Sequence, residues 1–136
     1  MAQRLTAAQF AMTYGVALVA MLVLDGLWLG WLARDFYKRE MGELMTDSVR
    51  LIPAAAFYLL YPLGLTYLAL MQPPESMGEA LLRCAVVGLV GYGTYDLTAM
   101  SVVKGFGTQL GLVDIAWGTF ASMVAGGLAY RLMIAR

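Results

Sequence analysis

The chain has 136 residues, of which 61% are hydrophobic and 13% are charged, and its formal net charge is zero. Soluble domains carry about 25% charged residues, so this composition indicates a protein solvated by lipid, without the basic surface that nucleic acid requires. The sequence lacks His, the usual acid–base catalyst near neutral pH, and its one cysteine, Cys84, excludes an internal disulfide and a cysteine-based zinc site.

The first predicted element is an apolar segment over residues 8–33. A helix that crosses a membrane needs about 20 mostly apolar residues, so this segment is long enough to span one. Its apolar run continues past Asp25 to Leu32, which is longer than the apolar core of a typical signal peptide, and we expect a retained helix. Gly26 and Gly30 lie four residues apart and predict close packing against another helix.

The first linker, residues 34–50, mixes charged residues with apolar ones. Its apolar members are Phe36, Tyr37, Met41, Leu44 and Met45. Their spacing predicts an amphipathic helix that lies at the membrane interface. Tyr and Trp often anchor proteins at that interface, and this role suits Trp31, Tyr37 and Tyr130 better than a role in a site.

The second spanning segment, residues 51–71, contains Pro62 near its middle. Proline removes a helical hydrogen bond, so Pro62 should kink this helix and free the carbonyl of Tyr58. Inside a bilayer that carbonyl needs another partner, and we expect a hydroxyl or a water molecule there. A tight turn at Pro73-Pro74 should follow this segment.

The third and fourth spanning segments, residues 79–100 and 112–134, carry small residues at every fourth position. These are Ala80, Cys84 and Gly88 on the third segment and Gly118, Ser122 and Gly126 on the fourth. Small residues at this spacing predict close packing of helices in lipid. We therefore predict an all-α fold: an integral membrane four-helix bundle with an amphipathic first linker, forming one membrane domain over residues 1–136.

Three aspartates, Asp25, Asp96 and Asp114, fall in or beside these apolar segments. An ionisable residue inside a membrane is costly unless it is paired, protonated or facing a polar cavity, so each is a candidate for function. With a rise of 1.5 Å per residue, Asp25 lies roughly 7 Å and Asp96 roughly 10 Å beyond the midpoints of their helices. Because alternate helices are antiparallel, both fall in the same leaflet as Asp114. Two alternatives remain: Asp114 as a helix N-cap, and Asp25 as a structural acid bonded to Tyr or Trp.

Aromatic residues accompany these carboxyls at helical spacing. Asp25 and Asp114 are each followed three positions later by Trp, and the two middle segments carry Tyr pairs three apart; residues at this spacing share a helix face. The predicted ligand-binding or proton-exchange residues are Asp25, Trp28, Tyr58, Tyr61, Tyr92, Tyr95, Asp96, Asp114 and Trp117. The linker cations predicted to form a lid or counter-charge are Arg34, Lys38, Arg39, Arg50 and Lys104. We expect no cofactor and no dedicated metal site.

Five motifs together resemble a family of small predicted bacterial inner-membrane proteins whose function is unassigned. The matching stretches are residues 25–30 (DGLWLG), 36–37 (FY), 57–61 (FYLLY), 92–98 (YGTYDLT) and 113–118 (VDIAWG). The family's pattern commonly continues the YGTYDLT motif with Asn, whereas Ala99 stands here. The resemblance implies a four-helix protein of the bacterial inner membrane and supplies no reaction. Lys and Arg are nearly balanced between the two faces, but the basic termini of similar proteins favour both termini in the cytoplasm.

Three functions are compatible with this pattern. The first is binding or transport of a small amphipathic ligand, lipid or cation; shielded carboxyls could exchange protons with such a ligand, or supply oxygen ligands to a hard cation. The second is a lipid-modifying enzyme in which Asp and Tyr act as acid, base or nucleophile, although the spacing shows no nucleophile–base pair. The third is an accessory subunit. Membrane lipids are the expected partners, and a homo-oligomer or a larger membrane complex fits the small-residue faces. The clustered acids favour binding over catalysis or a scaffold.

Overall fold

Five α-helices make up the chain between residues 3 and 135, the part that the computed structural model describes. In chain order they are α1 (Ala7–Leu27), α2 (Arg34–Met41), α3 (Leu51–Leu65), α4 (Met77–Val102) and α5 (Thr108–Met133). A π-helical turn extends α1 through Trp28–Leu32, and another extends α3 through Thr66–Leu70. Since residues 3–135 contain no strand, the all-α prediction is confirmed.

Three helical segments are long and apolar enough to cross a membrane: Ala7–Leu32, Leu51–Leu70 and Thr108–Met133. α4 has the same length as α5, 26 residues, but Arg83 and the polar stretch from Tyr92 to Asp96 interrupt its apolar sequence. The structure therefore supports three of the four predicted spans by length and composition. It has five helices rather than four because the first linker folds in part into α2.

Side-chain caps fix where α1 and α4 begin. Thr6 and Gln9 form a capping box at the start of α1, and the Ser76 hydroxyl accepts a hydrogen bond from the Glu79 amide at 3.1 Å at the start of α4. α5 begins at Thr108, about one turn earlier than its apolar pattern predicts, so Asp114 lies inside the helix. The interpretation of Asp114 as an N-cap is therefore wrong.

Pro62 lies inside α3 and is buried. A hydroxyl partner does meet the backbone near this proline, but on the carbonyl next to the expected one: Tyr14 of α1 donates to the Leu59 oxygen at 2.8 Å. Thr66 donates to the Pro62 oxygen, also at 2.8 Å. The Tyr14 hydroxyl thus reaches a carbonyl in the turn before the proline, whereas the Pro62 carbonyl that Thr66 contacts also accepts from the Thr66 backbone N–H.

The most extensive helix pairing joins α4 to α5. A Cβ atom at Gly88 would lie 2.8 Å from the carbonyl oxygen of Gly118, and one at Gly126 would collide with the Cys84 sulfur. The packing predicted from small residues is therefore confirmed for these two helices. Within this chain Gly26 and Gly30 do not take part in such packing, because no neighbouring atom of the described residues lies within 4 Å of a Cβ built at either position.

α2 folds back over one end of the bundle. Ala33, Tyr37 and Leu110 form a buried cluster there, so α2 is packed on the start of α5. Tyr37 and Tyr130 are both buried, and the prediction that they are interfacial anchors is wrong, whereas Trp31 is 73% exposed as an anchor should be. Elsewhere, α1 packs against α5 and α3, but α3 and α4 barely touch. The gap between α3 and α4 leaves a groove on the outside of the bundle.

Candidate ligand-binding site

Asp25 lies in the last turn of α1 and joins three helices. Its side chain is buried, and both of its oxygens accept hydrogen bonds. Tyr58 Oη of α3 donates to Oδ2 at 2.7 Å, and Trp117 Nε1 of α5 donates to Oδ1 at 2.8 Å. Both donors are neutral, so they stabilise the carboxylate without cancelling its charge.

A second carboxyl, Asp114, is held from α2. Tyr37 Oη donates to Asp114 Oδ1 at 2.8 Å and accepts a hydrogen bond from Trp28 Nε1 at 3.1 Å. Burial raises the pKa of the Tyr37 phenol, and the charge of Asp114 raises it further, so the phenol keeps the proton that it donates. Through this one side chain α2 is fastened both to the end of α1 and to α5.

The two networks meet at a pair of stacked indoles. The rings of Trp28 and Trp117 are parallel to within 2°, and their centroids are 4.4 Å apart. The indole of each Asp-x-x-Trp motif interacts with the carboxyl of the other motif. Trp117 donates a hydrogen bond to Asp25, and Trp28 donates to Tyr37, which in turn donates to Asp114. We call this the crossed arrangement of the two motifs.

Asp96 of α4 differs from the other two carboxyls. It has no exposed surface, and neither of its oxygens accepts a hydrogen bond from an N–H or hydroxyl group among residues 3–135. Asp114 is close enough for the two carboxyls to share a proton through a hydrogen bond. Two neighbouring buried carboxylates are costly when both are ionised, so Asp96 depends on Asp114 rather than on a neutral donor.

A cavity of about 390 Å³ opens beside these carboxyls. Among the predicted site residues, those that line it are Asp25, Tyr58, Tyr61, Tyr92, Tyr95, Asp114 and Trp117. The other lining residues are Leu29, Ala54, Phe57 and Gly91. Trp28 and Asp96 are not part of the lining; they belong to the layer behind it.

The tyrosines of the cavity differ in their contacts and in their exposure. The Tyr61 hydroxyl shares a hydrogen bond with the Ser122 hydroxyl of α5. Tyr92 packs its ring directly on Gly118, where any side chain would collide with it. Tyr95 is 62% exposed and packs edge-on against Phe106, so it lies at the outer edge of the site.

The five linker cations predicted as a lid are all exposed. None of them forms an ion pair in the described part of the chain, where the pair observed is Arg83–Glu79, at 2.8 Å on α4. The guanidinium of Arg39 lies 5.9 Å from the ring centroid of Phe36 instead. Their role as counter-charge stays a prediction, and the polar contact that holds α2 over the site is the hydrogen bond from the Tyr37 phenol.

An apolar groove of about 570 Å³ follows the gap between α3 and α4. Three residues, Phe57, Tyr61 and Gly91, line both this groove and the polar cavity. The rest of the groove is lined by Leu60, Gly64, Leu65, Leu68, Val86, Val87 and Val90. The polar cavity and the apolar groove therefore adjoin each other, and the Tyr61 ring packs against Gly91 where they meet.

Residues 10–131 match the family described as "Predicted membrane protein (DUF2177)". The chain belongs to this family. The resemblance drawn from the five motifs is thereby confirmed, and the DUF2177 match covers every helix that lines the site. No curated protein and no solved structure matches the chain. The family is a predicted membrane protein family of unassigned function, so the site itself is the guide to what this DUF2177 member does.

Several residues of the DUF2177 site were not predicted to belong to it, among them Leu29, Ala54 and Gly91 of the lining. Tyr37 was expected at the interface, Ser122 was assigned to packing, and Phe57 was left without a role. Tyr37 and Phe57 do stand in two of the motifs that carry the family resemblance, FY and FYLLY. That signal, rather than polarity or spacing, could have placed them in the site.

Proposed function

We propose that the protein binds a small amphipathic or lipid-like molecule within the membrane. The polar end would occupy the cavity beside Asp25 and Asp114, and the apolar chain would lie in the groove between α3 and α4. The observation that carries this proposal is the shared lining of the two spaces by Phe57, Tyr61 and Gly91. A molecule with one polar and one apolar end fits such a pair of adjoining spaces, because each end meets matching chemistry.

Transport and proton exchange extend the same proposal. Asp96 supports them, because a buried carboxyl that faces a second carboxyl, Asp114, can change its protonation when a ligand arrives nearby. The alternatives, a lipid-modifying enzyme and an accessory subunit, have no contact in the site that favours them.

The proposed setting is a four-span bundle in a bacterial inner membrane, with both termini in the cytoplasm. α4 would be the fourth span, since its 26 residues match α5 and it pairs with α5 along its length. The three carboxyls and α2 would then lie on the periplasmic side. Arg83, bonded to Glu79 and to two carbonyl groups, would lie on the cytoplasmic side.

The test is to fill the groove. Gly64 lines it, and no neighbouring atom lies within 4 Å of a Cβ built there, so Gly64→Phe should fold and occupy the space of the ligand's chain. Gly15→Phe is the matched control, because Gly15 lies in equally open space on α1. We expect binding of a dodecyl amphipath to the protein in lipid nanodiscs to fall at least tenfold in Gly64→Phe and to be unchanged in Gly15→Phe. Equal binding by both variants would contradict the proposal.

A further inference from the structure

We infer that the polar end of this ligand is an organic cation, an amine or quaternary ammonium group. The inference rests on the proposed function and specifies its substrate class. It concerns the charge of the site, which is set by three carboxyl groups within one end of the bundle.

The ionisable side chains at the cavity are acidic, and no basic side chain lines it. Two carboxyls line it and Asp96 lies behind them, whereas its lining contains no Lys or Arg. Asp25 is bonded to two neutral donors, and Asp114 accepts from the neutral Tyr37 through one oxygen only. A buried charge is normally compensated by an opposite charge. No such charge comes from the described residues, so the ligand is the natural source.

The walls of the cavity suit an organic cation. Phe57, Tyr58, Tyr61, Tyr92 and Trp117 line it together with the carboxyls. The rings of Phe57 and Tyr61 are inclined by 22°, and the ring of Tyr92 stands at 84° to that of Tyr61, so the cavity presents both faces and edges. Aromatic faces attract ammonium groups, most strongly where water is excluded, and they also pack against the carbon atoms around the nitrogen.

A metal ion is a less suitable ligand for this cavity than an organic cation. Within residues 3–135, no three of the His, Cys, Asp and Glu side chains are grouped closely enough to hold one. Hard metal ions need six or more oxygen ligands that converge on one point. The carboxyls here border a space of about 390 Å³ instead, which has room for an alkylammonium group.

The experiment compares three probes with one chain length: dodecyltrimethylammonium, dodecanol and dodecanoate. Binding to the full-length protein in nanodiscs of neutral lipid is measured below the micellar concentration of each probe. We expect the cation to bind at least tenfold more tightly than the alcohol, and the carboxylate to bind most weakly. If the alcohol or the carboxylate binds as well as the cation, this inference is wrong but the proposed function stands. If none of the three binds, both are wrong.

Carboxyl variants test whether the preference for the cation over the alcohol arises at this cavity. In Asp114→Asn and Asp96→Asn the ratio of cation to alcohol affinity should fall at least threefold, while Asp47→Asn, an exposed linker carboxyl, should keep the wild-type ratio. The ratio is read within each variant, so a general loss of affinity does not change it. Circular dichroism establishes that each variant is folded, and if Asp114→Asn fails to fold, Asp96→Asn decides. An unchanged ratio in the folded carboxyl variants overturns the assignment to this site.

Discussion

Asp25 is the residue on which three helices depend. Its two oxygens satisfy buried donors from α3 and α5. Asparagine at this position has one oxygen, so one donor would lose its acceptor and meet an amide N–H group. Hydrogen bonds to charged groups contribute about 1.5–3 kcal/mol each, and an unsatisfied buried donor carries a similar penalty.

We therefore expect Asp25→Asn to lower the free energy of unfolding by about 1–3 kcal/mol. The measurement is an SDS titration of the detergent-solubilised protein followed by far-UV circular dichroism. Asp47→Asn changes the same functional group at an exposed position and should leave the midpoint in place. If the two variants unfold at the same SDS concentration, Asp25 does not hold the helices as described.

The contacts of individual residues were only partly predictable. Spacing places Trp28 and Trp117 one turn from Asp25 and Asp114, and those four residues do come together at one end of the bundle. Which indole bonds to which carboxyl depends on how α1 docks against α5, and spacing along one helix contains no information about its neighbour. The crossed arrangement of the two Asp-x-x-Trp motifs could not be read from the sequence for that reason.

At the scale of elements, the α4–α5 interface leaves no room for a methyl group. A Cβ at Gly88 would meet the carbonyl oxygen of Gly118 and the Ser122 side chain, and backbone cannot move aside as a flexible side chain can. Gly88→Ala should therefore destabilise the protein by about 1–3 kcal/mol through overpacking. Gly15→Ala is the control: its Cβ would meet nothing within 4 Å, so it should be neutral or stabilising by up to about 1 kcal/mol.

Thermal unfolding in detergent distinguishes the two glycine variants. The contrary result would be a Gly88→Ala protein as stable as Gly15→Ala, which would mean that α4 and α5 are further apart than described. Small-residue spacing predicted this interface but also predicted one for α1, where Gly26 and Gly30 face open space. Composition alone does not tell a tightly packed glycine from one on an open face.

The attachment of α2 gives a second prediction at this scale. Tyr37→Phe removes the phenol that bonds to Asp114 and Trp28 while it keeps the ring. The lost hydrogen bonds should weaken the attachment of α2 to the bundle by about 1–2 kcal/mol, which should raise the population of molecules with α2 detached roughly tenfold. Trypsin cleavage after Lys38 and Arg39, followed by mass spectrometry, measures that population directly.

Tyr67→Phe serves as the control for this experiment, since Tyr67 is an exposed tyrosine on the turn that follows α3. Faster cleavage in both variants, or in neither, would argue against the Tyr37 contact as the attachment. The sequence predicted an amphipathic helix in this linker but placed it against lipid. Amphipathicity shows that one face avoids water, and it does not show whether protein or lipid covers that face.

At the scale of the whole molecule, the number of spans can be tested with the single native cysteine as background. Cys84 is buried and should react slowly with a membrane-impermeant maleimide. If the proposed orientation in a bacterial inner membrane is correct, Thr46→Cys and Lys104→Cys should be labelled from the periplasmic side, and Glu75→Cys only after the membrane is opened. Labelling of Glu75→Cys and Lys104→Cys from the same side would show that α4 does not cross the membrane.

The groove between α3 and α4 has one wall that the protein does not supply. Leu60, Leu68, Val86 and Val90 line it and are more than half exposed, so acyl chains of the surrounding bilayer complete the enclosure. Under the proposed function, a molecule that dissolves in those chains would reach the carboxyls sideways, without passing through water. Its effective concentration would then be its mole fraction among the lipids, and a modest intrinsic affinity would suffice for high occupancy. The bilayer would thus be both the solvent of this protein and the reservoir of the proposed ligand.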